Sequence, residues 1–174
     1  MVVSLAPFQP ARASLLAEWL ARPHVARWFP APAAWIEAAL TPSDKGGHAL
    51  IVLDARPIGY MRWWKVGRET LDSVGLEDIP AGSADIDMLI GEADCVGRGY
   101  GPSALAALVT TLRADPSIPL AGLSPSSDNV AAIRAYAKAG FCRTRDYDAP
   151  GFGRCALMVM DFGRERVTPP PARA

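Results

Sequence analysis

A run of alternating glycines joins a strand-like segment to a helical one. Gly97, Gly99 and Gly101 form the run, and Pro102 follows where the missing N–H of a first helical turn costs nothing. Residues 84–92 before the run alternate in polarity like a strand, and the leucines after it repeat at helical spacing. This pattern predicts a strand, a tight turn and a helix whose first backbone N–H groups can bind a pyrophosphate.

The rest of the chain predicts an α+β fold with a mixed, mostly antiparallel sheet flanked by helices. The predicted strands are residues 2–7, 48–54, 58–66, 84–92, 118–123, 141–147 and 154–162. The predicted helices are residues 11–21, 33–40, a segment that begins near Gly101 with Pro102 in its first turn, and residues 129–139. The single parallel step crosses over through the Pro102 helix. We predict one domain over residues 1–162, a loop over 68–83 and an unstructured, proline-rich tail over 163–174.

Composition and charge narrow the possible partners. Eighteen Lys and Arg residues balance 18 Asp and Glu residues, which removes the usual electrostatic reason to expect a nucleic-acid partner. No apolar run approaches the length of a membrane span and the first residues lack a signal-peptide pattern, so we expect a cytoplasmic protein without a membrane partner. The three cysteines match no zinc spacing, and no metal site is predicted. The sequence does not decide between a monomer and a homodimer.

A second segment, residues 128–141, completes a recognisable pattern. Its characteristic residues at fixed spacing are Asn129, Ala132, Tyr136, Lys138, Gly140 and Phe141. Together with the glycine run it resembles the GCN5-related N-acetyltransferases (GNAT), whose motifs are Gln/Arg-x-x-Gly-x-Gly/Ala and Asn-x-x-Ala-x-x-x-Tyr-x-Lys-x-Gly-Phe. Val96 stands where Gln or Arg is usual, and Pro102 replaces the third glycine of a dinucleotide-binding motif. The resemblance implies the GNAT fold and acetyl-CoA as cofactor.

The same resemblance implies roles for individual residues. Asp87 would orient the amine and accept its proton, with Asp85 as the alternative on the same strand face. Tyr136 would protonate the departing thiolate, unless it is a core tyrosine. A backbone N–H of Leu89 or Ile90 would stabilise the oxyanion. The residues expected at coenzyme A are Leu89, Ile90, Val96, Gly97, Arg98, Gly99, Tyr100, Gly101, Asn129, Ala132 and Tyr136.

Within this superfamily the chain is most similar to the aminoglycoside 6'-N-acetyltransferases, over most of its length. The similarity implies transfer of acetyl to a primary amine of a polycationic small molecule. Residues 69–95 hold eight Asp and Glu residues and neither Lys nor Arg, so they either attract a polyamine or form a solvated acidic loop. The expected substrate-binding residues are Trp28, Phe29, Trp64, Glu69, Asp72, Asp85 and Asp87. One departure is Ser124, which replaces the family's acidic residue before Pro-Ser.

Other functions stay open at this stage. Acyltransferases of siderophore assembly, which act on a lysine or hydroxylysine-type amine, share part of the pattern, and a protein N-terminus is another possible acceptor. A non-catalytic acyl-CoA sensor would keep the glycine run without productive base chemistry. The siderophore enzymes use a histidine near an aspartate, whereas no histidine lies near Asp87 in sequence. We therefore expect His24 and His48 to be structural.

Overall fold

Seven strands form a single sheet in the computed structural model, which describes residues 1–163. The strands are β1 (Val3–Pro7), β2 (Gly46–Leu53), β3 (Arg56–Lys65), β4 (Ala84–Ile90), β5 (Leu120–Leu123), β6 (Cys142–Ala149) and β7 (Gly153–Asp161). Their order in the sheet is β1-β2-β3-β4-β5-β7-β6, and each neighbouring pair is antiparallel except β4 and β5. The predicted α+β class with a mixed, mostly antiparallel sheet is confirmed.

Helices cover both faces of this sheet. They are α1 (Ala13–Ala21), α2 (Pro23–Ala26), α3 (Pro32–Leu40), α4 (Arg68–Ser73), α5 (Tyr100–Ala114) and α6 (Val130–Lys138), with single 3₁₀ turns at Pro10–Arg12 and Ala93–Cys95. The longest of them, α5, makes the crossover that the parallel pair β4 and β5 requires.

Alternation along β4 sends its side chains to two different hydrophobic clusters. Ile86 and Met88 pack with the buried leucines of α5, whereas Leu89 packs with α1 and α3 on the opposite face. Asp85 and Asp87 therefore share the face of α1 and α3. This places the two carboxylates on one side of the sheet and the helix after the glycine run on the other.

The sheet opens between its two parallel strands. The register of β4 with β5 joins only Ala84 to Ala121 and Asp85 to Gly122, whereas β4 stays paired with β3 as far as Ile90. The second half of β4 consequently has a free edge, since β5 has diverged from it. This gap connects the two faces of the sheet. A ligand bound in it can contact residues on both faces.

Two sequence-based predictions are corrected. The segment 68–83, predicted as a loop, contains α4, whose Leu71 is buried in a third cluster with Val66 and Leu76. A six-residue helix is too short to produce a recognisable periodicity. The short helix α2 was missed for the same reason. The helix predicted to begin near Gly101 begins at Tyr100, with Pro102 in its first turn as expected.

Two further expectations concern the C-terminal tail and membrane-spanning helices. The predicted tail, residues 163–174, lies outside the described residues except for Gly163. Among residues 1–163, every helix is too short or too polar to cross a membrane.

Candidate active site

A cavity of about 880 Å³ occupies the opening between β4 and β5. Most residues that the sequence assigned to the site line it, namely Trp28, Phe29, Asp87, Leu89, Ile90, Val96, Gly97, Gly99, Tyr100, Gly101, Asn129, Ala132 and Tyr136. The cavity runs from the glycine run, past the free edge of β4, to the segment after α2. It is large enough for a drug-sized or cofactor-sized ligand.

The glycine run has the backbone that a helix-entry turn demands. Gly97 and Gly99 have φ values of 75° and 86°, in the left-handed region that only glycine adopts without cost, and Gly99 is the N-cap of α5. A Cβ atom on either glycine would meet no atom within 4 Å, so the space above both is open. Because the first N–H groups of α5 have no acceptor inside the helix, this end of the cavity presents donors to an anion.

Ion pairs fix the base of this turn. The Arg98 side chain donates from Nε to the carbonyl of Asp94 at 2.6 Å, and Arg98 does not line the cavity. Arg56 bridges Asp94 and Glu92 at 3.0 Å each. Glu92 also pairs with Arg22 at 2.9 Å, and these hydrogen bonds hold the pKa of its carboxyl below the ordinary value.

The helix α6 contributes Tyr136 to the opposite wall. Asn129 accepts a hydrogen bond at 3.1 Å from the backbone N–H of Ala132 and so caps this helix, a structural role that the motif alone did not indicate. Tyr136 is half-buried and lines the cavity. Burial and the nearby Asp87 carboxylate raise the pKa of its hydroxyl, which therefore keeps its proton at neutral pH.

Asp87 is held by a residue that the sequence analysis did not select. Arg62 lies directly opposite it in the register of β3 and β4. Its Nε donates to Oδ2 at 2.9 Å, and its Nη2 forms an ion pair with the same oxygen at 2.8 Å. The guanidinium in turn lies 3.7 Å from the Trp35 ring centroid and 4.9 Å from that of Trp64. Burial raises the pKa of Asp87, while Arg62 opposes that shift.

Aromatic residues after α2 form the side of the cavity that faces Asp87. Phe29 packs edge-on against Trp35 with centroids 4.9 Å apart, and Arg27 lies 4.8 Å from the centroid of Trp28. Trp28 and Phe29 are only partly buried, so each presents a ring to the cavity as well as to its neighbours. His24, expected to be structural, lines the same cavity and its Nε2 lies 3.1 Å from the carbonyl oxygen of Ile90.

The acidic stretch, residues 69–95, is largely neutralised by arginines from other parts of the chain. Five of its eight acids are ion-paired, namely Asp72, Asp78, Asp87, Glu92 and Asp94. Acids that are already paired with arginines leave little net field to attract a polyamine. Glu69 and Asp72 line neither this cavity nor the smaller one described next, and we therefore remove both from the proposed site.

Trp64 and Asp85 belong to the smaller cavity, of about 270 Å³, which also reaches Asp87. The Ser124 hydroxyl lies at both cavities and accepts a hydrogen bond from the Tyr147 hydroxyl at 2.9 Å. A neutral hydroxyl pair thus occupies the place where the sequence comparison led us to look for a carboxylate. Among residues 1–163, no group of three potential ligands is arranged to hold a metal ion.

Comparison with known proteins identifies the family. The family described as acetyltransferase (GNAT) domain matches residues 10–149. The aminoglycoside N(6')-acetyltransferase type 1 of Klebsiella pneumoniae is 31% identical over 155 residues, which cover 84% of this chain and 76% of that protein. The kanamycin resistance protein of Rhizobium radiobacter is 34% identical over 98 residues, 56% of this chain and 80% of that protein.

Solved structures agree with this result. The crystal structure of aminoglycoside acetyltransferase AAC(6')-Ib in complex with coenzyme A and kanamycin superimposes with a TM-score of 0.79 at 31% identity, covering 92% of this chain and 95% of that one. Its complex with coenzyme A alone gives a TM-score of 0.80 at 30% identity, over the same shares of the two chains. These matches confirm the predicted fold and enzyme class: the chain belongs to the GNAT family of N-acetyltransferases.

Proposed function

We propose that this enzyme transfers the acetyl group of acetyl-CoA to the 6'-amino group of an aminoglycoside. The observation that carries the proposal is the likeness, over nearly the whole chain, to an enzyme that was solved with both coenzyme A and kanamycin. Acetyl-CoA, predicted as cofactor from the sequence, agrees with the family and with the coenzyme A bound in those structures. A cytoplasmic location remains part of the proposal.

Different parts of the cavity fit different parts of acetyl-CoA. The N–H groups around Gly99 and Gly101, at the positive end of the α5 dipole, would hold the pyrophosphate. The pantetheine arm would then follow the free edge of β4 toward Tyr136. At Ile90 this edge is not engaged by β5, since the Ile90 carbonyl is within hydrogen-bonding distance of His24 instead. The N–H and C=O of one strand residue point the same way, which favours Ile90 over Leu89 as the oxyanion donor.

Asp87 would act as the base on the acceptor side. Both close contacts of Arg62 are with Oδ2, so Oδ1 is the oxygen left to accept a proton from the substrate ammonium, directly or through water. The neutral amine then attacks the thioester carbonyl, a C–N bond forms, and the C–S bond breaks as the tetrahedral intermediate collapses. Burial raises the pKa of Asp87 and makes it a better proton acceptor than an exposed aspartate.

Tyr136 would act as the acid on the donor side. Its hydroxyl keeps a proton because its pKa is raised, and the thiolate that leaves needs one. Transfer of that proton yields free coenzyme A and the N-acetylated product. The tyrosinate that remains takes up the second proton that the substrate nitrogen loses, directly or through water. Asp87 releases the first proton to solvent, so the cycle is balanced with one proton released in each turnover.

Thiol release from acetyl-CoA tests the proposal directly. The purified chain is assayed with kanamycin, with a hydroxylysine derivative and with a peptide that has a free N-terminus, and the kanamycin product is mapped by NMR. Acetylation at the 6' nitrogen of kanamycin is expected. Turnover of only the lysine-type amine or the peptide would favour the alternative acceptors. Coenzyme A binding in calorimetry with no turnover of any amine would favour a sensor module.

A further inference from the structure

The smaller cavity is an apolar side chamber of the active site. It lies under α4, between the ends of β3, β5 and β7, and its walls come from Trp64, Leu71, Val74, Leu76 and Leu157 among others. Four residues line both cavities, namely Asp87, Ser124, Phe152 and Cys155. The chamber therefore adjoins the place where the acceptor nitrogen must meet the thioester.

The chamber is large enough for a ring-sized group. A cavity of about 150 Å³ lined by apolar side chains is enough to bind benzene. This one measures about 270 Å³. Phe152, in the turn between β6 and β7, is 56% exposed although it is a large apolar residue at the junction of the two cavities. An apolar group in the chamber would cover part of that ring.

The polar groups of the chamber do not favour an ammonium ion. The Ser124–Tyr147 hydroxyl pair is neutral, and the Asp87 carboxylate is already paired with Arg62. Burial, together with the Asp87 charge, raises the pKa of Asp85 to about 7, so a large fraction of this carboxyl is protonated at neutral pH. The free-energy cost of desolvating an ammonium ion here would exceed the favourable interactions that these groups provide.

We propose that this chamber is an acceptor subsite for an uncharged, ring-sized apolar group, so that the enzyme acetylates primary amines carrying such a group as well as amino sugars. The inference rests on the proposed acetyl transfer at Asp87 and adds the class of substituent that fits beyond it. The nitrogen would lie at Asp87, and the apolar group would replace water against the leucines and valines of the chamber. Removal of the apolar group from water supplies the binding energy.

Gly122 offers a clean way to fill the chamber. It lies on β5 opposite Asp85 and lines the chamber, and a Cβ added there would find only ordinary contacts, the nearest being the Met158 carbonyl oxygen at 3.8 Å. Valine is also a better strand residue than glycine, so Gly122→Val keeps the fold. Gly122→Ala gives a smaller filling of the same kind. Gly67→Ala is the matched control, because Gly67 lines neither cavity and has open space around its Cβ position.

The experiment compares kcat/KM for phenethylamine and tryptamine with kcat/KM for kanamycin and putrescine. We expect turnover of both ring-bearing amines, and a fall of about tenfold in their kcat/KM relative to kanamycin in Gly122→Val, with a smaller fall in Gly122→Ala and none in Gly67→Ala. A crystal soaked with phenethylamine should show its ring in the chamber. Circular dichroism and melting temperature verify that each variant is folded.

The outcomes separate the two proposals. Acetylation of kanamycin without any turnover or binding of the ring-bearing amines would overturn the subsite and leave the proposed function intact. The subsite would also be overturned if the ring-bearing amines are turned over and their kcat/KM relative to kanamycin is the same in Gly122→Val as in wild type. Turnover of ring-bearing amines alone would support the subsite and contradict the aminoglycoside assignment. Absence of turnover with every amine would contradict the proposed function, and an empty chamber in the soaked crystal would then overturn the subsite too.

Discussion

Arg62 and Asp87 form a cross-strand pair in which two nitrogens of one guanidinium, Nε and Nη2, lie 2.9 and 2.8 Å from a single carboxylate oxygen. The pair is partly buried, with 18% and 32% of the two side chains exposed. The arginine therefore fixes the orientation of the carboxylate and opposes the rise in its pKa that burial causes. If the other oxygen accepts the substrate proton, as proposed, the arginine would set the pH at which the base becomes active.

The first prediction concerns Arg62→Gln and Arg62→Lys. Loss of the positive charge raises the pKa of Asp87, so less of the base is ionised at a given pH and the acidic limb of kcat/KM against pH should move upward by about one unit in Arg62→Gln. Arg62→Lys keeps a charge but not the two N–H contacts on one oxygen, so its limb should lie between those of wild type and Arg62→Gln, with kcat reduced. Identical limbs in all three proteins would contradict this relationship.

The second prediction concerns the proposed proton donor. Tyr136→Phe removes the hydroxyl and leaves the ring, so kcat should fall about 100-fold while the Kd of coenzyme A stays within a factor of about three. Because the pKa of this tyrosine is raised, the wild-type rate should show no alkaline fall that belongs to Tyr136 below pH 10. If Tyr136→Phe is as fast as wild type, Tyr136 is a packing residue and not the proton donor.

Those parts of the site that depend on local sequence could be predicted. The glycine run must turn left-handed before α5, and the spacing from Asn129 to Tyr136 fits one short helix, so both segments carry their geometry in the sequence itself. The strand alternation that puts Asp85 and Asp87 on one face is equally local. For these elements the sequence pattern and the structure agree apart from one or two residues at each end.

Those parts that depend on distant pairing could not be predicted. Arg62 became recognisable only when the β3–β4 register placed it opposite Asp87, since a cross-strand neighbour is fixed by pairing and not by spacing. The same holds for the acidic stretch, because Asp78 is neutralised by Arg145 from β6, 67 positions away. The alternation would have offered one signal, since Arg62 and Trp64 stand two residues apart and so share the face of the site.

The third prediction tests the proposed pyrophosphate-binding turn with two matched glycines. Gly97 and Gly75 have φ values of 75° and 74°, and both have open space at the Cβ position, but only Gly97 lines the large cavity. Alanine at either place costs about 1 kcal/mol of stability through the left-handed backbone. The Kd of coenzyme A should rise about tenfold in Gly97→Ala alone, because the added methyl lies where the backbone must approach the phosphates.

Calorimetric titration with coenzyme A at a temperature well below both melting points measures this difference. If Gly97→Ala and Gly75→Ala both bind coenzyme A as tightly as wild type, the glycine run is not part of the binding site. Equal weakening in both would show that strain, and not the added methyl, limits binding.

The last prediction follows from the raised pKa of Asp85. Its carboxyl has a pKa of about 7 in the folded protein and about 4 when exposed, so between these values the folded state binds more protons than the unfolded state. The free energy of unfolding must therefore fall as pH rises through this window. The side-chain amide that Asp85→Asn introduces cannot ionise. The gain in melting temperature of this variant over wild type should therefore be larger at pH 8 than at pH 5, by about 3 °C or more.

Asp148→Asn is the matched control for this comparison. Asp148 is also an aspartate on a strand, but its side chain is 79% exposed in a surface pair with Arg154. Its replacement should change the melting temperature little, and nearly equally, at both pH values, because exposed pairs contribute little to stability. Asp85→Asn has to be compared under identical buffer and salt, since screening acts more strongly on the exposed control than on the half-buried Asp85. If the two variants show the same pH dependence, Asp85 ionises as an ordinary exposed carboxyl, and the smaller cavity is more polar than we propose.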